Sequence, residues 1–150
     1  LKTVILGVGS PLRTDDGVGI HVIEALKKED MPNSVELRED LSCRDVFDAF
    51  PDFNRIIIID AIKSNDNPGT IQTLYIDDSV SYEQVQISLS HDLDLVTMIE
   101  LGRRTFPNSM PEEIILITVE AEDIMTISDK CTPKVQEAIH KVVSMIKQII

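Results

Sequence analysis

No stretch of this sequence is apolar for long enough to cross a membrane. The longest uninterrupted runs, residues 56–59 and 114–117, fall far short of the roughly 20 residues a span requires. The opening LKTVILGVG has one lysine and neither a long apolar core nor a small-residue cleavage site, so it reads as a first β-strand and not a signal peptide. Basic charge is scarce as well. Fourteen Lys and Arg face 26 Asp and Glu, a net charge of −12 with histidines neutral. Nucleic acid and an anionic membrane surface would both repel such a chain. Cations or a basic protein surface would not, and the same balance also serves solubility alone. Cysteine is almost missing: Cys43 and Cys131 lie far apart and form no CxxC pair, which argues against structural zinc of the usual kinds. In the cytoplasmic setting that these absences favour, both read as reduced thiols.

What is present describes one α/β domain over residues 1–150, since no repeat, low-complexity block or linker divides the chain. Residues 3–8 are apolar and β-branched and run into a Gly/Ser/Pro loop. Val18, Ile20, Val22, Ile23 and Leu26 then recur at near-helical spacing, opened by acidic residues suited to a helix N-terminus. Residues 34–38 read as a short strand and 43–50 as a helix with Val46, Phe47 and Phe50 on one face. In RIIIIDA (residues 55–61) four consecutive isoleucines predict a strand buried on both faces. TIQTLYID (residues 70–77) alternates apolar and polar residues, as an edge strand does. Residues 91–106 carry Leu93, Leu95, Val96, Ile99 and Leu101 on a broad helical face. A strand at 113–119 follows, and a last helix enters at Pro133 with Val135, Ile139, Val142, Val143 and Ile146 inward. The alternation predicts a mostly parallel twisted sheet of about five strands, helices on both faces and one antiparallel edge strand. Ligand sites of such sheets lie at the carboxyl ends of the strands.

Those ends carry the candidate chemistry. GVGSPLRTDDGVG (residues 7–19) invites a dinucleotide reading, with Glu39 or Asp40 as the ribose-binding acid. Gly7 and Gly9 fit GxGxxG, but Leu12 takes the place of the third glycine. Asp15 and Asp16 would also meet the pyrophosphate with like charge. No GK[ST] follows, which excludes a Walker-type loop. The adjacent aspartates have a plain alternative use, in which one caps the helix and both favour its positive end. Asp60 closes the isoleucine run, where an ionised carboxylate is costly without a cation or hydrogen bonds. It serves either a site or the following loop. His91, in SLSHDLDL (residues 88–95), opens a helix. It forms no triad with its sequence neighbours, and no GxSxG elbow occurs. His21 and His140 lie inside helices and read as surface or packing residues. Should Asp16, Asp60 and His91 converge, they make an O,O,N set suited to a borderline divalent metal, with a coordination position left over.

GVGSPLRTDDGVG, IIIIDA and SLSHDLDL, in this order and with CTPKVQEAI (residues 131–139) opening the last helix, resemble the hydrogenase maturation endopeptidases. The resemblance covers nearly the whole chain. It implies removal of a C-terminal extension from a [NiFe]-hydrogenase large-subunit precursor, with Asp16, Asp60 and His91 as metal ligands and catalytic residues. Asp15, Gly7, Gly9 and Gly17 then support the loop. The implied metal is nickel carried in by the substrate, and another divalent metal could replace it in vitro. Ser10 stands where the family usually has asparagine, and serine can still hydrogen-bond a turn. Two other classes compete: a chaperone that holds the same precursor without cutting it, and a nucleotide-binding domain.

Overall fold

The computed structural model describes residues 1–40, 44–76 and 93–150. Its strands are β1 (Thr3–Val8), β2 (Val35–Asp40), β3 (Arg55–Ile62), β4 (Ile71–Ile76) and β5 (Glu113–Glu120), and its helices are α1 (Val18–Leu26), α2 (Arg44–Ala49), α3 (Leu93–Thr105) and α4 (Pro133–Ile149). The strands form one sheet in the order β2–β1–β3–β5–β4. β2, β1, β3 and β5 run parallel, and β4 pairs antiparallel with β5 at the edge. This is the architecture that the patterning predicts.

The isoleucine run explains the layers. Successive side chains of a strand point to opposite faces, so Ile56 and Ile58 enter one core while Ile57 and Ile59 enter the other. The first core is completed by Val46 and Phe50 at α2 and by Ile99 of α3. The second takes Val22, Ile23 and Leu26 of α1 and Val135, Ile139, Val142 and Ile146 of α4. Each such side chain contributes about 1.5–3 kcal/mol by leaving water. A strand sandwiched in this way has no polar face to show, hence no alternation.

Two expectations need correction. β2 does not stop at residue 38 but continues through Glu39 to Asp40, so these acids are strand residues and not a post-strand loop. Leu101 is 50% exposed, whereas Ile99 is buried. Two residues further along a helix is about 200° round the axis, which takes Leu101 off the face that Ile99 occupies. Gly102 occupies it instead, with Phe50 packed where a side chain would stand. The predicted positions 91 and 92 of this helix, and residue 77 of the edge strand, lie outside the described residues. No helix among the described residues is long and apolar enough to cross a membrane.

Close approach of α1 to the sheet requires glycine at position 19. A Cβ there would lie 2.4 Å from the carbonyl oxygen of Ile59 and 2.8 Å from the amide nitrogen of Val8. Both neighbours are backbone and cannot swing aside. Gly19→Ala is therefore expected to cost about 1–3 kcal/mol through overpacking, read as a lower urea midpoint at unchanged slope. An unshifted midpoint would mean that α1 does not seat this tightly.

Candidate active site

The parallel strands bring their carboxyl ends to one edge of the sheet. β1 leaves it through Gly9, whose φ of +130° is open to glycine and strained for other residues. A Cβ at Gly9 would sit 2.0 Å from the carbonyl oxygen of Asp16. The chain thus folds straight back onto the short 3₁₀ turn Thr14–Gly17. Gly17 ends that turn, packed against Pro11. Across this fold-back the main-chain N–H of Ser10 donates to Oδ2 of Asp16 at 2.9 Å. The contact uses backbone, which any residue but proline supplies. The serine side chain at position 10 plays no part in it.

The two neighbouring aspartates do different work. Asp15 is fully buried. Its Oδ2 accepts from the N–H groups of Glu122 (2.9 Å) and Asp123 (3.1 Å) and from the Thr132 hydroxyl (2.8 Å), and its Oδ1 accepts from the Thr132 N–H (2.7 Å). It stitches the first loop to the loop between β5 and α4. Thr14 adds to the same seam: its N–H donates to the Ser128 carbonyl at 3.0 Å and its hydroxyl to the Thr126 carbonyl at 2.5 Å. Its φ of 55° is rare for a β-branched residue and is held by these bonds. Neither aspartate caps α1, which begins after Gly17 with no side-chain cap.

Asp60 lies on β3, 5% exposed, in the alternation that places Ile58 and Ile62 on the α2/α3 side of the sheet. Oδ1 accepts the N–H of Ala61 at 2.8 Å. Its strand passes directly under the turn that carries Asp16: the 3₁₀ turn touches β3, and Gly19 backs onto Ile59. Two of the three anticipated residues are thus set at one sheet edge, each with a carboxylate oxygen held by a main-chain N–H. His91 lies outside the described residues. Among the described residues no group of three His, Cys, Asp or Glu side chains is placed to hold a metal ion. Two carboxylates are hard oxygen donors that suit a divalent cation as part of a larger set.

Several other polar groups at this edge are engaged within the fold. Asp40 is buried, and its Oδ2 accepts the N–H of Asp45 at 3.2 Å, so it starts α2 and does not wait for a ribose. Glu120 is buried too and accepts the N–H of Ser64 at 2.8 Å and the Ser64 hydroxyl, which fixes the loop after β3. Asp123 accepts from the hydroxyl and N–H of Thr126 and the N–H of Met125, which hold its pKa down at about 2. Burial, aided by the charge of Asp15, pushes the Cys131 thiol up to about 12. At neutral pH it is a protonated, unreactive thiol, as the sequence suggests. The buried Thr118 and Glu120 were not singled out from sequence, and only the pairing of β5 with its neighbours reveals them.

Comparison with known proteins identifies the family and the fold. Residues 20–149 match the hydrogenase maturation protease family (HycI), a span that takes in Asp60 and position 91 and begins just after Asp16. The chain is 28% identical over 127 residues to the hydrogenase 2 maturation protease of Escherichia coli (strain K12), covering 83% of this chain and 76% of that protein. The solved structure of the hydrogenase maturating endopeptidase HybD from E. coli superposes with a TM-score of 0.81 at 26% identity, over 97% of this chain and 90% of that one. The [NiFe] hydrogenase maturation protease HybD from Thermococcus kodakarensis shares the fold, with a TM-score of 0.76 at 21% identity over 99% of each chain. With most of its length matched, this chain belongs to the hydrogenase maturation protease family, a family of peptidases.

Proposed function

We propose that this protein is the endopeptidase that removes the C-terminal extension of a nickel-loaded [NiFe]-hydrogenase large-subunit precursor, acting in the cytoplasm. The observation that carries the reading is the placement of Asp16, on a turn packed against β3, and Asp60, on β3 itself, at one sheet edge in a member of a maturation-protease family. The nickel arrives as part of the substrate. Asp16 and Asp60, joined by His91, are the residues that would meet it, and a metal so placed can hold the scissile bond in position or polarise its carbonyl.

The chain's own contribution is preorganisation. Ser10 N–H fixes Asp16 and Ala61 N–H fixes Asp60, so neither carboxylate must be ordered when the substrate docks. The seam built on Asp15 and Thr132 holds the Asp16 loop against the body of the fold from the other side. A net charge of −12 favours approach of a cationic centre or a basic protein surface. The reading is tested by incubating the purified protein with the precursor and recording intact mass. Loss of one discrete C-terminal peptide supports it; stable binding without any mass change would make the protein a chaperone of the same precursor.

A further inference from the structure

The α2/α3 face of the sheet changes character one row from its carboxyl edge. Two successive rows across β3, β5 and β4 are wholly apolar: Ile56, Ile114 and Ile76, then Ile58, Leu116 and Leu74. The next row is Asp60, Thr118 and Gln72. Residues paired in register share a face of the sheet, with strands about 4.8 Å apart. Thr118 therefore stands directly between Asp60 and Gln72. It is 3% exposed, and its hydroxyl has no hydrogen-bond partner among the described residues. A cavity of about 310 Å³ opens beside it, lined by Gln72, Thr73, Leu74, Leu116 and Thr118.

A buried hydroxyl without a partner is destabilising in the resting protein. Here it belongs to a residue that lines a hollow, together with the apolar Leu74 and Leu116 and the polar Gln72 and Thr73. Hydroxyl and carboxamide can each donate and accept, which matches the N–H and C=O of one peptide unit. The aliphatic part of the lining matches a small apolar side chain. A volume of this size is at the lower end for ligand pockets and suits a single residue, not a large cofactor. We propose that Thr118 and Gln72 form a subsite for one main-chain peptide unit of the substrate, next to the scissile bond at Asp60. The inference rests on the assignment of Asp60 to the active site and adds the path by which the precursor's cleavable segment leaves it, across β5 toward the edge strand β4.

The test compares wild type with Thr118→Val, Thr118→Ser and Gln72→Ala, using the nickel-loaded precursor and measuring Kd, KM and kcat together with thermal midpoints. Thr118→Val removes an unpaired hydroxyl, so the midpoint should hold or rise. Kd and KM should weaken about tenfold, the loss of one or two hydrogen bonds to the substrate, with kcat little changed. Thr118→Ser should bind like wild type, and Gln72→Ala should weaken binding severalfold without loss of stability. A wild type that binds but never cuts would refute the protease reading, and the Kd values would still decide the subsite. Unchanged Kd in both Thr118→Val and Gln72→Ala would overturn the proposal, as would a drop in Thr118→Val stability with no selective loss of affinity. Should Thr118→Val fail to fold, Gln72→Ala alone decides, because Gln72 is exposed and carries no core.

Discussion

Asp60→Asn is expected to abolish cleavage of the precursor while the protein stays folded. The asparagine keeps an Oδ1 that can accept the Ala61 N–H now held at 2.8 Å, and it nearly matches aspartate in volume. What it loses is the negative charge at the end of a strand buried on both faces. Removing partners that merely orient a metal ligand lowers metal affinity or activity by about 10–100-fold, so removing the charge of Asp60 in its proposed role as a ligand should exceed about a hundredfold. Asp16→Asn should behave alike, because its amide oxygen can still accept the Ser10 N–H, and His91→Ala completes the set. Intact mass of the precursor reads the activity, and the thermal midpoint reads the fold. Normal processing by all three variants would sink the site assignment.

Asp15→Asn should do the reverse, one residue away. Four donors converge on the Asp15 carboxylate: the N–H groups of Glu122, Asp123 and Thr132 and the Thr132 hydroxyl. An asparagine offers one acceptor oxygen and turns an NH₂ toward donors that need an acceptor. Buried donors left unpaired cost about 1–3 kcal/mol each when nothing relaxes, so one or two left without an acceptor here come to about 3 kcal/mol. In a chain of this length that corresponds to a fall in thermal midpoint of about 10 °C. A shift under about 2 °C would show that the seam between the two loops is not held by Asp15. The adjacent pair is thus expected to divide into a residue whose replacement destabilises the fold and a residue whose replacement inactivates, separable by a melting curve and a cleavage assay on each variant.

The resemblance assigns Asp15 to the loop and Asp16 to the site, but no local pattern in the sequence makes that division. DD reads as two equivalent carboxylates near a helix start, yet successive residues of a 3₁₀ turn point about 120° apart. One therefore enters the interior and the other meets Ser10. The partners of Asp15 lie 107 to 117 residues further on, and no local pattern announces them. Thr118 and Glu120 were hidden for a related reason. EIILITV (residues 113–119) reads simply as a buried strand, and only when β5 is paired does Thr118 fall beside Asp60. The strands themselves were easy to find, because isoleucine runs and the alternation in β4 follow from burial on two faces or one. Asp60 was recognisable as an ionisable group where hydrophobic patterning forbids one. Position 91 rests on the resemblance and on order along the chain.

The central claim is that this protein cuts a hydrogenase large-subunit precursor only when nickel is in place. The direct measurement is the intact mass of nickel-loaded and nickel-free precursor before and after incubation with the purified protein. Loss of a single C-terminal peptide from the loaded form alone is the predicted result. Equal cleavage of both forms, or none of either, would contradict it.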